Sequence, residues 1–114
     1  MNGCIFCKIV AGQAPATILY QDEVATAFRD IHPVAPTHVL VVPNRHIPSV
    51  NDLVPGDEAL VGYLVTIAGQ VARQEGIDQT GYRLILNTGP DSGQAVFHLH
   101  LHVIGGRRMR FPMG

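Results

Sequence analysis

The chain has no long hydrophobic run, and this absence excludes one class of protein. Hydrophobic residues make up 46% of the 114 residues, yet no run approaches the roughly 18 consecutive apolar residues that a membrane-spanning helix needs. The N-terminal stretch MNGCIFCKIV is too short for a secretory signal peptide and carries Lys8 on the wrong side of its apolar residues. We therefore expect a cytoplasmic protein without a membrane partner.

An excess of charge of either sign is also missing. Eight Lys and Arg residues against nine Asp and Glu residues give a net charge of -1, which provides no overall field for nucleic acid or an anionic membrane. Arg107, Arg108 and Arg110 gather near the C-terminus, but a short basic run of this kind is typical of a solvated tail. We expect no nucleic-acid partner.

Cysteine is scarce, with Cys4 and Cys7 as the only two. In a reducing compartment such a pair indicates a metal site or free thiols rather than a disulfide. The Cys-x-x-Cys spacing supplies half of a tetrahedral site, whereas a thioredoxin-like redox role is disfavoured because no βαβ pattern surrounds the pair. Internal repeats, low-complexity runs and Ser/Gly linkers are absent as well, so we expect residues 1–114 to form a single domain.

The hydrophobic pattern predicts a mixed fold. One long helix is expected at 56–75, where Leu60, Leu64, Ile67 and Val71 recur at helical spacing, and a short helical turn is expected at 4–10. Strands are predicted from alternation and turn signals at 17–20, 24–29, 38–43, 82–87 and 97–104, with loops at 30–37 and 44–55. The sum is an α+β fold with a five-stranded antiparallel sheet, one long helix and one short helix.

A run of alternating histidines carries the strongest chemical signal. In Phe97-His98-Leu99-His100-Leu101-His102-Val103, a strand would place the four apolar side chains on the core face and the three imidazoles on the other face, with neighbouring imidazoles roughly 6.5–7 Å apart. Such a row can donate, accept or attack near neutral pH. Two alternatives stay open: a polar strand face that is merely rich in histidine, and a metal site built on part of the row. All three imidazoles cannot ligate one tetrahedral ion without distortion, because in line they span about 13 Å.

The sequence around this run resembles the histidine triad (HIT) family, in which three histidines are each followed by an apolar residue, as in His98-Leu99-His100-Leu101-His102-Val103. It is most similar to the Hint branch, the purine nucleoside phosphoramidases. Further similarity lies in IFCKIV, AFRDIHPVAPTHVLVVP, GYRLILNTG, SGQAVFHLHLHVIGGR and the terminal Pro112. The matching segments occur in order and extend over almost the whole chain.

The resemblance implies that the chain hydrolyses nucleoside phosphoramidates. His100, the middle histidine, would attack the α-phosphorus, expel an amine and leave a nucleotidyl-histidine that water hydrolyses. His102 would hydrogen-bond phosphate oxygens or protonate the amine. His38 would lie beneath the site and influence the protonation of its neighbours, although taken alone it is equally compatible with a core histidine. No cofactor is expected to take part in catalysis.

Further segments would bind the nucleotide. The loop 87–94 indicates a phosphate site, because glycines let backbone N–H groups approach an anion, and a carboxylate at Asp30 can accept from both ribose hydroxyls. The expected nucleotide-binding residues are Phe6, Phe28, Asp30, Ile31, Asn87, Gly93, Gln94 and Ala95, with Ile5, Ile9 and Leu40 completing an apolar slot for the base. Many Hint-like proteins carry serine where this chain has Ala95, which leaves the rate and the leaving-group preference open.

The resemblance also implies structural zinc and a homodimer. Some bacterial members bind zinc through a cysteine pair, the histidine of a Pro-x-x-His segment and the first triad histidine, which here are Cys4, Cys7, His46 and His98. Such a site is structural, because four protein ligands leave no open position for water; the alternative is a pair of reduced thiols with His46 on a surface loop. In the dimer, the long helix and an edge strand join two five-stranded sheets into one, and the C-terminal tail reaches toward the partner.

Other functions are compatible with the same residues. A dinucleoside polyphosphate hydrolase or a nucleotidyl transferase of the same superfamily would use the same histidines, although the GGR ending and the short tail favour the phosphoramidase. A nucleotide-binding or partner-binding module with incidental hydrolysis would also share the site. A metalloenzyme with its metal on the triad would lose its turnover to a chelator.

Overall fold

The computed structural model describes residues 3–113, in which five strands form one antiparallel sheet. The strands are β1 (Ile18–Gln21), β2 (Ala25–Arg29), β3 (Thr37–Pro43), β4 (Tyr82–Leu86) and β5 (Leu101–Gly105), in the sheet order β1-β2-β3-β5-β4. The helices are α1 (Ile5–Val10) and α2 (Glu58–Gln74), and single 3₁₀ turns lie at Val50–Asp52 and Pro90–Ser92. This architecture confirms the predicted α+β class with one long and one short helix.

The long helix α2 covers one face of the sheet. Its buried residues recur every three to four positions and are Leu64, Ile67, Ala68, Val71 and Ala72. They pack on the side chains of the central strands that point to the same face, among them Ala27, Val39 and Val103. Burying one aliphatic side chain of this size stabilises a fold by about 1.5–3 kcal/mol. The helix begins at Glu58 rather than at 56, and no helix within residues 3–113 is long and apolar enough to cross a membrane.

The opposite face of the sheet is covered by the short helix over only part of its width. There α1 packs Phe6 and Ile9 against Phe28, Leu40 and Val42 of β2 and β3. The rings of Phe6 and Phe28 meet edge to face, with centroids 5.3 Å apart. Because α1 has only six residues, no helix among residues 3–113 covers β5 and β4 on this side. The functional side chains lie on this open face.

A carboxylate ties the β1–β2 hairpin to α2. Asp22 accepts hydrogen bonds from the N–H groups of Val24 and Ala25, each at 2.8 Å, and from Tyr20 Oη at 2.6 Å. Tyr63 Oη on α2 donates to the same carboxylate. The hydroxyls of Tyr20 and Tyr63 are the main reason that the pKa of Asp22 lies far below its ordinary value. The ionised carboxylate therefore holds both the turn and its contact with the helix.

The last strand is shorter than the sequence predicted. It begins at Leu101, whereas residues 97–100 precede the sheet, and the chain bends at 96–98. The N–H of Leu99 donates to the carbonyl of Ile47 at 2.6 Å, so this segment is bound by the 44–49 loop instead of a neighbouring strand. Phe97 is 61% exposed. The prediction that Phe97 shares the core face was wrong, because the bend interrupts the alternation of the strand.

Candidate active site

His100 is held in one orientation by the main chain. Its Nδ1 lies 2.7 Å from the carbonyl oxygen of His98, and since a carbonyl can only accept, Nδ1 carries the hydrogen and donates it. In the neutral ring the other nitrogen, Nε2, then carries no hydrogen and has a free lone pair. The ring is 8% exposed and meets Phe6 edge to face, with centroids 5.1 Å apart. This arrangement suits a nucleophile, because the carbonyl stabilises the positive charge that the ring gains on attack.

A second chain of hydrogen bonds sets the ring of His102. The N–H of Val34 donates to Nδ1 of His38 at 3.1 Å, which places the hydrogen of the neutral His38 ring on Nε2. That nitrogen lies 2.9 Å from Nδ1 of His102 and 3.3 Å from Oδ2 of Asp30. His38 therefore donates to His102, and the neutral His102 ring carries its own hydrogen on Nε2.

Burial keeps both of these rings neutral near pH 7. Desolvation is the main cause that lowers the pKa of His38, against an opposing effect of the Asp30 carboxylate. Desolvation also lowers the pKa of His102 to about 4, with a further contribution from the nearby His100 ring. Nε2 of His102 is buried and has no hydrogen-bond partner among residues 3–113. A buried donor without a partner is available to an oxygen of a bound ligand.

An apolar cavity of about 510 Å³ opens beside these histidines, a volume typical of small-molecule sites. It is lined by every residue that the sequence predicted for nucleotide binding, namely Phe6, Phe28, Asp30, Ile31, Asn87, Gly93, Gln94 and Ala95, and by Ile5, Ile9 and Leu40. His100 and His102 also line it. Ile31 is 80% exposed, so it offers less enclosed apolar surface than the sequence suggested.

Sequence reasoning missed six lining residues, which are Ala14, Pro15, Ala16, Arg29, His32 and Val96. Three of them lie in the connection between α1 and β1, where no residue pattern indicates a function. They come to the cavity because α1 packs on Phe28 and Leu40, and Ala14 and Ala16 follow it onto the same cluster. No signal in the local sequence identifies them.

The loop between β4 and the triad is held together by Gln94. Its Oε1 accepts from the N–H of Gly89 at 2.9 Å, while its Nε2 donates to the carbonyls of Pro48 at 2.9 Å and Val96 at 3.1 Å. The side-chain amide is thus occupied within the protein, and it positions the loop that lines the cavity. Gly93 follows the 3₁₀ turn with φ at +79°, a conformation that favours glycine.

The predicted metal ligands converge on one point. One ligand atom from each of Cys4, Cys7, His46 and His98 lies within 4.8 Å of the others. Nδ1 of His98 is 3.3 Å from Sγ of Cys4 and 3.2 Å from Nδ1 of His46, and Sγ of Cys7 is 3.4 Å from Nδ1 of His46. A tetrahedral zinc site with ordinary bond lengths needs about 3.6 Å between sulfur and nitrogen and about 3.4 Å between nitrogens. The four residues can therefore hold a metal ion with little movement.

His98 is prepared for this role by its other nitrogen. Nε2 of His98 lies 2.8 Å from the carbonyl oxygen of Pro43 and donates its hydrogen to it. Nδ1 of the neutral ring therefore carries no hydrogen, and its lone pair faces the sulfur atoms. The ring is fully buried at 0% exposure, and desolvation lowers its pKa. A neutral imidazole is the form that binds metal ions. The donor set of two sulfurs and two nitrogens fits zinc.

The histidines of the triad are therefore divided between two places. His98 faces the cysteine pair, whereas His100 and His102 line the cavity. The rings of His100 and His102 are 4.9 Å apart, closer than the roughly 6.5–7 Å that successive same-face positions of a strand would give. The difference arises because His100 precedes the sheet and its ring is turned by its bond to the carbonyl of His98.

Comparison with known proteins agrees with this geometry. The chain is 52% identical over 110 residues to the purine nucleoside phosphoramidase of Escherichia coli (strain K12), which covers 96% of this chain and 89% of that protein. The HIT family hydrolase from Legionella pneumophila Philadelphia 1 superposes with a TM-score of 0.96 at 45% identity, over 98% of this chain and all of that one. A histidine triad protein from Clostridium difficile gives a TM-score of 0.91 at 43% identity, over 94% of this chain and 93% of that one. The sequence model of the HIT domain matches residues 11–109, and the chain belongs to the HIT domain family.

Proposed function

We propose that this protein hydrolyses the P–N bond of purine nucleoside phosphoramidates and releases a nucleoside monophosphate and an amine. The observation that carries the proposal is the hydrogen bond from Nδ1 of His100 to the carbonyl of His98, which in the neutral ring leaves the lone pair on Nε2 beside a cavity of about 510 Å³. The 52% identity to a purine nucleoside phosphoramidase supports the substrate class. In this proposal His100 is the nucleophile, and His102 and His38 assist it.

The reaction would proceed in two displacements at phosphorus. Nε2 of His100 attacks the α-phosphorus, a new N–P bond forms, and the bond from phosphorus to the leaving nitrogen breaks. His102 donates from Nε2 to a phosphoryl oxygen. His102 keeps this hydrogen and stays neutral, and the leaving nitrogen takes up a proton from solvent as its bond to phosphorus breaks, so that it departs as a neutral amine. Water then attacks the same phosphorus and releases one proton to solvent, the N–P bond to His100 breaks, and the nucleoside monophosphate leaves His100 free.

The nucleotide is proposed to lie along the cavity, with its base on the apolar side chains of α1, β2 and β3. Phe6, Phe28 and Leu40 are the buried members of that surface. Asp30 is proposed to bind the ribose. Its Oδ1 accepts from the N–H of His32 at 2.8 Å, and each oxygen keeps a lone pair for a sugar hydroxyl. The side chain of Asn87 and the N–H groups of the loop 87–95 would contact the phosphate.

We further propose that Cys4, Cys7, His46 and His98 bind a structural zinc ion. Support comes from the short ligand distances and from the Nδ1 lone pair of His98. Bound zinc would supply a cross-link between α1 and the segment that carries the triad. Catalysis requires no cofactor in this proposal, since four protein ligands leave no open position for water.

The assembly and the cellular location are part of the same proposal. Residues 1–114 are proposed to form a single HIT domain that pairs as a homodimer. Within residues 3–113 the outer edge of β4 has no partner strand, and Leu84 and Leu86 on it are only half-buried; Val65 on α2 is 45% exposed. A second copy joined through this edge and helix would cover these side chains.

A reducing cytoplasm is the proposed location of the protein. It suits Cys4 and Cys7, which must stay reduced to bind a metal ion.

The test is hydrolysis of an adenosine 5′-phosphoramidate by the wild type, by His100→Ala and by His32→Ala, with the zinc content of each protein measured. His32 is an exposed histidine that lines the same cavity, so it is the matched control. We expect His100→Ala to lose about two to three decades of kcat/KM or more while it keeps its metal, and His32→Ala to stay within a few-fold of the wild type. With substrate labelled at the α-phosphorus, a denaturing quench at alkaline pH, in which an N–P bond to histidine survives, should trap label on the wild type and on His32→Ala but not on His100→Ala. If His100→Ala keeps most of its activity, the covalent route is wrong.

A further inference from the structure

The two cysteines lie in a single turn at the start of α1. Cys4 immediately precedes the helix, and its Sγ accepts from the N–H of Cys7 at 3.4 Å. The two sulfur atoms lie within 4.8 Å of each other. Residues three apart in a helical turn have Cα atoms about 5 Å apart, and a disulfide needs Cα atoms roughly 4.4–6.8 Å apart. The backbone of this turn therefore already has the spacing that a disulfide requires.

Both sulfur atoms are also within reach of a small oxidant. Cys4 and Cys7 are free and only half-buried. The thiolate is the form of cysteine that peroxide oxidises, and binding of a metal ion removes the thiol proton. In the zinc-bound protein the two sulfurs therefore have no proton to lose before they react.

The short helix α1 depends on side chains for its position. Among residues 3–113, no main-chain hydrogen bond joins α1 to the sheet, and a side-chain bond from Nε2 of Gln21 to the carbonyl of Val10, at 3.1 Å, ties its last residue to β1. Buried Phe6 and Ile9 supply its packing. A helix of six residues has little stability of its own in water. The link from the cysteines to the two histidines of the proposed zinc site is therefore a main part of what holds α1 in place.

Phe6 connects this helix to the candidate active site. It lies between the two cysteines in the sequence, and its ring meets the rings of His98 and His100 edge to face, with centroids 5.9 and 5.1 Å apart. Together with Ile5 and Ile9 it lines the cavity. A shift of α1 would remove this wall of the cavity, whereas the bond from Nδ1 of His100 to the carbonyl of His98 does not involve α1. Loosening of α1 should therefore weaken nucleotide binding more than the chemical step.

We propose that Cys4 and Cys7 are a site of reversible oxidation, at which disulfide formation releases zinc and loosens α1 from the nucleotide cavity. The inference rests on the zinc site and the nucleotide site proposed above and adds a modification that controls them. A disulfide offers no thiolate to a metal ion, so one oxidation removes two of the four ligands. The cross-link between α1 and the segment that carries the triad is then lost, and the affinity for nucleotide falls.

The oxidant is hydrogen peroxide, and the reaction starts from two thiolates. One cysteine sulfur attacks a peroxide oxygen, an S–O bond forms, the O–O bond breaks, and hydroxide leaves. The second sulfur attacks the resulting sulfenic acid, the S–S bond forms, and the S–O bond breaks to release a second hydroxide. Solvent supplies two protons that convert the hydroxides into water. The two sulfurs together lose two electrons, and the peroxide gains them.

The test treats the zinc-loaded protein with an equimolar amount of hydrogen peroxide. A chromogenic chelator measures released zinc, intact mass measures the modification, and calorimetry measures the Kd of adenosine monophosphate, the product of the proposed reaction. We expect release of the bound zinc, the loss of two hydrogens, and a rise of at least about tenfold in Kd. Amide hydrogen exchange over residues 5–10 should accelerate at least about tenfold. Dithiothreitol with zinc should reverse all four changes, which distinguishes them from the oxidation of methionine.

Three variants locate the effect. Cys7→Ser cannot form the disulfide, so its Kd for adenosine monophosphate should be raised from the start and unchanged by peroxide. Lys8→Ser alters an exposed residue of the same helix and should respond like the wild type. In Phe6→Leu, oxidation should raise Kd by a smaller factor than in the wild type, because the coupling depends on the phenylalanine ring.

Several outcomes separate this inference from the proposals on which it rests. Zinc retained after oxidation, added oxygen atoms without a sulfur–sulfur bond, or a disulfide between two chains overturns it while the zinc site stands. A disulfide that releases zinc but leaves Kd and the exchange of α1 unchanged also overturns it. Reduced protein that binds no zinc overturns the zinc site and the inference together. If the wild type hydrolyses no phosphoramidate, the proposed reaction fails, whereas zinc release and the affinity for adenosine monophosphate still decide this inference.

Discussion

The N–H of Val34 donates to Nδ1 of His38 at 3.1 Å, and this one bond determines where two imidazoles carry their hydrogens. His38 must then donate from Nε2 to His102, and His102 must present its own Nε2–H to the cavity. A main-chain donor outside the histidine triad thus controls the form in which the last triad histidine meets a substrate.

Replacement of His38 tests this chain of bonds. His38→Leu removes the donor to His102, whereas His38→Gln keeps an amide N–H that can reach the same nitrogen. We expect kcat for an adenosine phosphoramidate to fall about 10–100-fold in the leucine variant, as is usual when a partner of a functional histidine is lost, and to fall much less in the glutamine variant. Steady-state kinetics and circular dichroism on both proteins check this. An equal loss in the two folded variants would contradict a donor role.

Acid is expected to destabilise the protein through His102. The pKa of this ring is about 4 in the folded state, against about 6.5 in an unfolded chain. Between these values the unfolded state binds a proton that the folded state does not. The titration of His102 therefore leaves the free energy of unfolding unchanged above about pH 6.5 and lowers it as the pH falls toward 4. Thermal unfolding between pH 7.5 and 4.5 should show a falling Tm, with a shallower decline in His102→Gln. The same slope in both proteins would show that this ring is not the cause.

Loss of the metal group is expected to affect stability and not chemistry. Cys7→Ser removes a proposed zinc ligand, whose Sγ lies 3.4 Å from Nδ1 of His46. Since a structural zinc ion contributes much of the free energy of a small fold, we expect Tm to fall by about 10 °C or more, while kcat of the folded fraction stays within about threefold. Lys8→Ser, an exposed change on the same helix, is the control. If kcat falls in proportion to lost zinc at constant folded fraction, the metal takes part in catalysis.

Asp22 is expected to be the strongest single polar contribution to the hairpin. Asp22→Asn removes the charge that accepts from two backbone N–H groups and two tyrosine hydroxyls, and we expect a loss of about 1–3 kcal/mol in the free energy of unfolding. Because the folded carboxyl has a lowered pKa, its contribution is present above the unfolded value of about 3.9 and is lost as the pH falls below it. Urea unfolding at pH 7 and pH 3.5 measures both effects. Asp78→Asn, on an exposed carboxylate whose bond from Gln79 is 3.4 Å long, should change little, and an equal loss there would contradict the prediction.

Local pattern predicted most of the fold, and it failed where a distant segment intervened. The spacing of Leu64, Ile67 and Val71 was enough to identify α2 and its buried face, since helical period and burial are properties of neighbouring residues. The same reasoning assigned Phe97 to the core, and there it was wrong. The alternation of the histidine run is interrupted by a bond from Leu99 to Ile47, fifty-two positions away, which the run itself does not encode.

The residue types of the site were determined by the sequence alone. Histidines at 98, 100 and 102, the cysteine pair and most of the lining side chains of the cavity were identifiable from spacing and from the family resemblance, whereas six lining residues, among them Ala14 and Ala16, were not. Only the tertiary structure decided how each ring is protonated, because a hydrogen-bond partner such as the carbonyl of Pro43 or the N–H of Val34 is brought up by packing and not by neighbouring sequence. The contact between Arg83 and the C-terminal tail is a further case. Arg83 and Arg110 are far apart along the chain and carry no common motif, and the fold alone joins their charges beside the histidines, since β4 pairs with the strand from which the tail emerges.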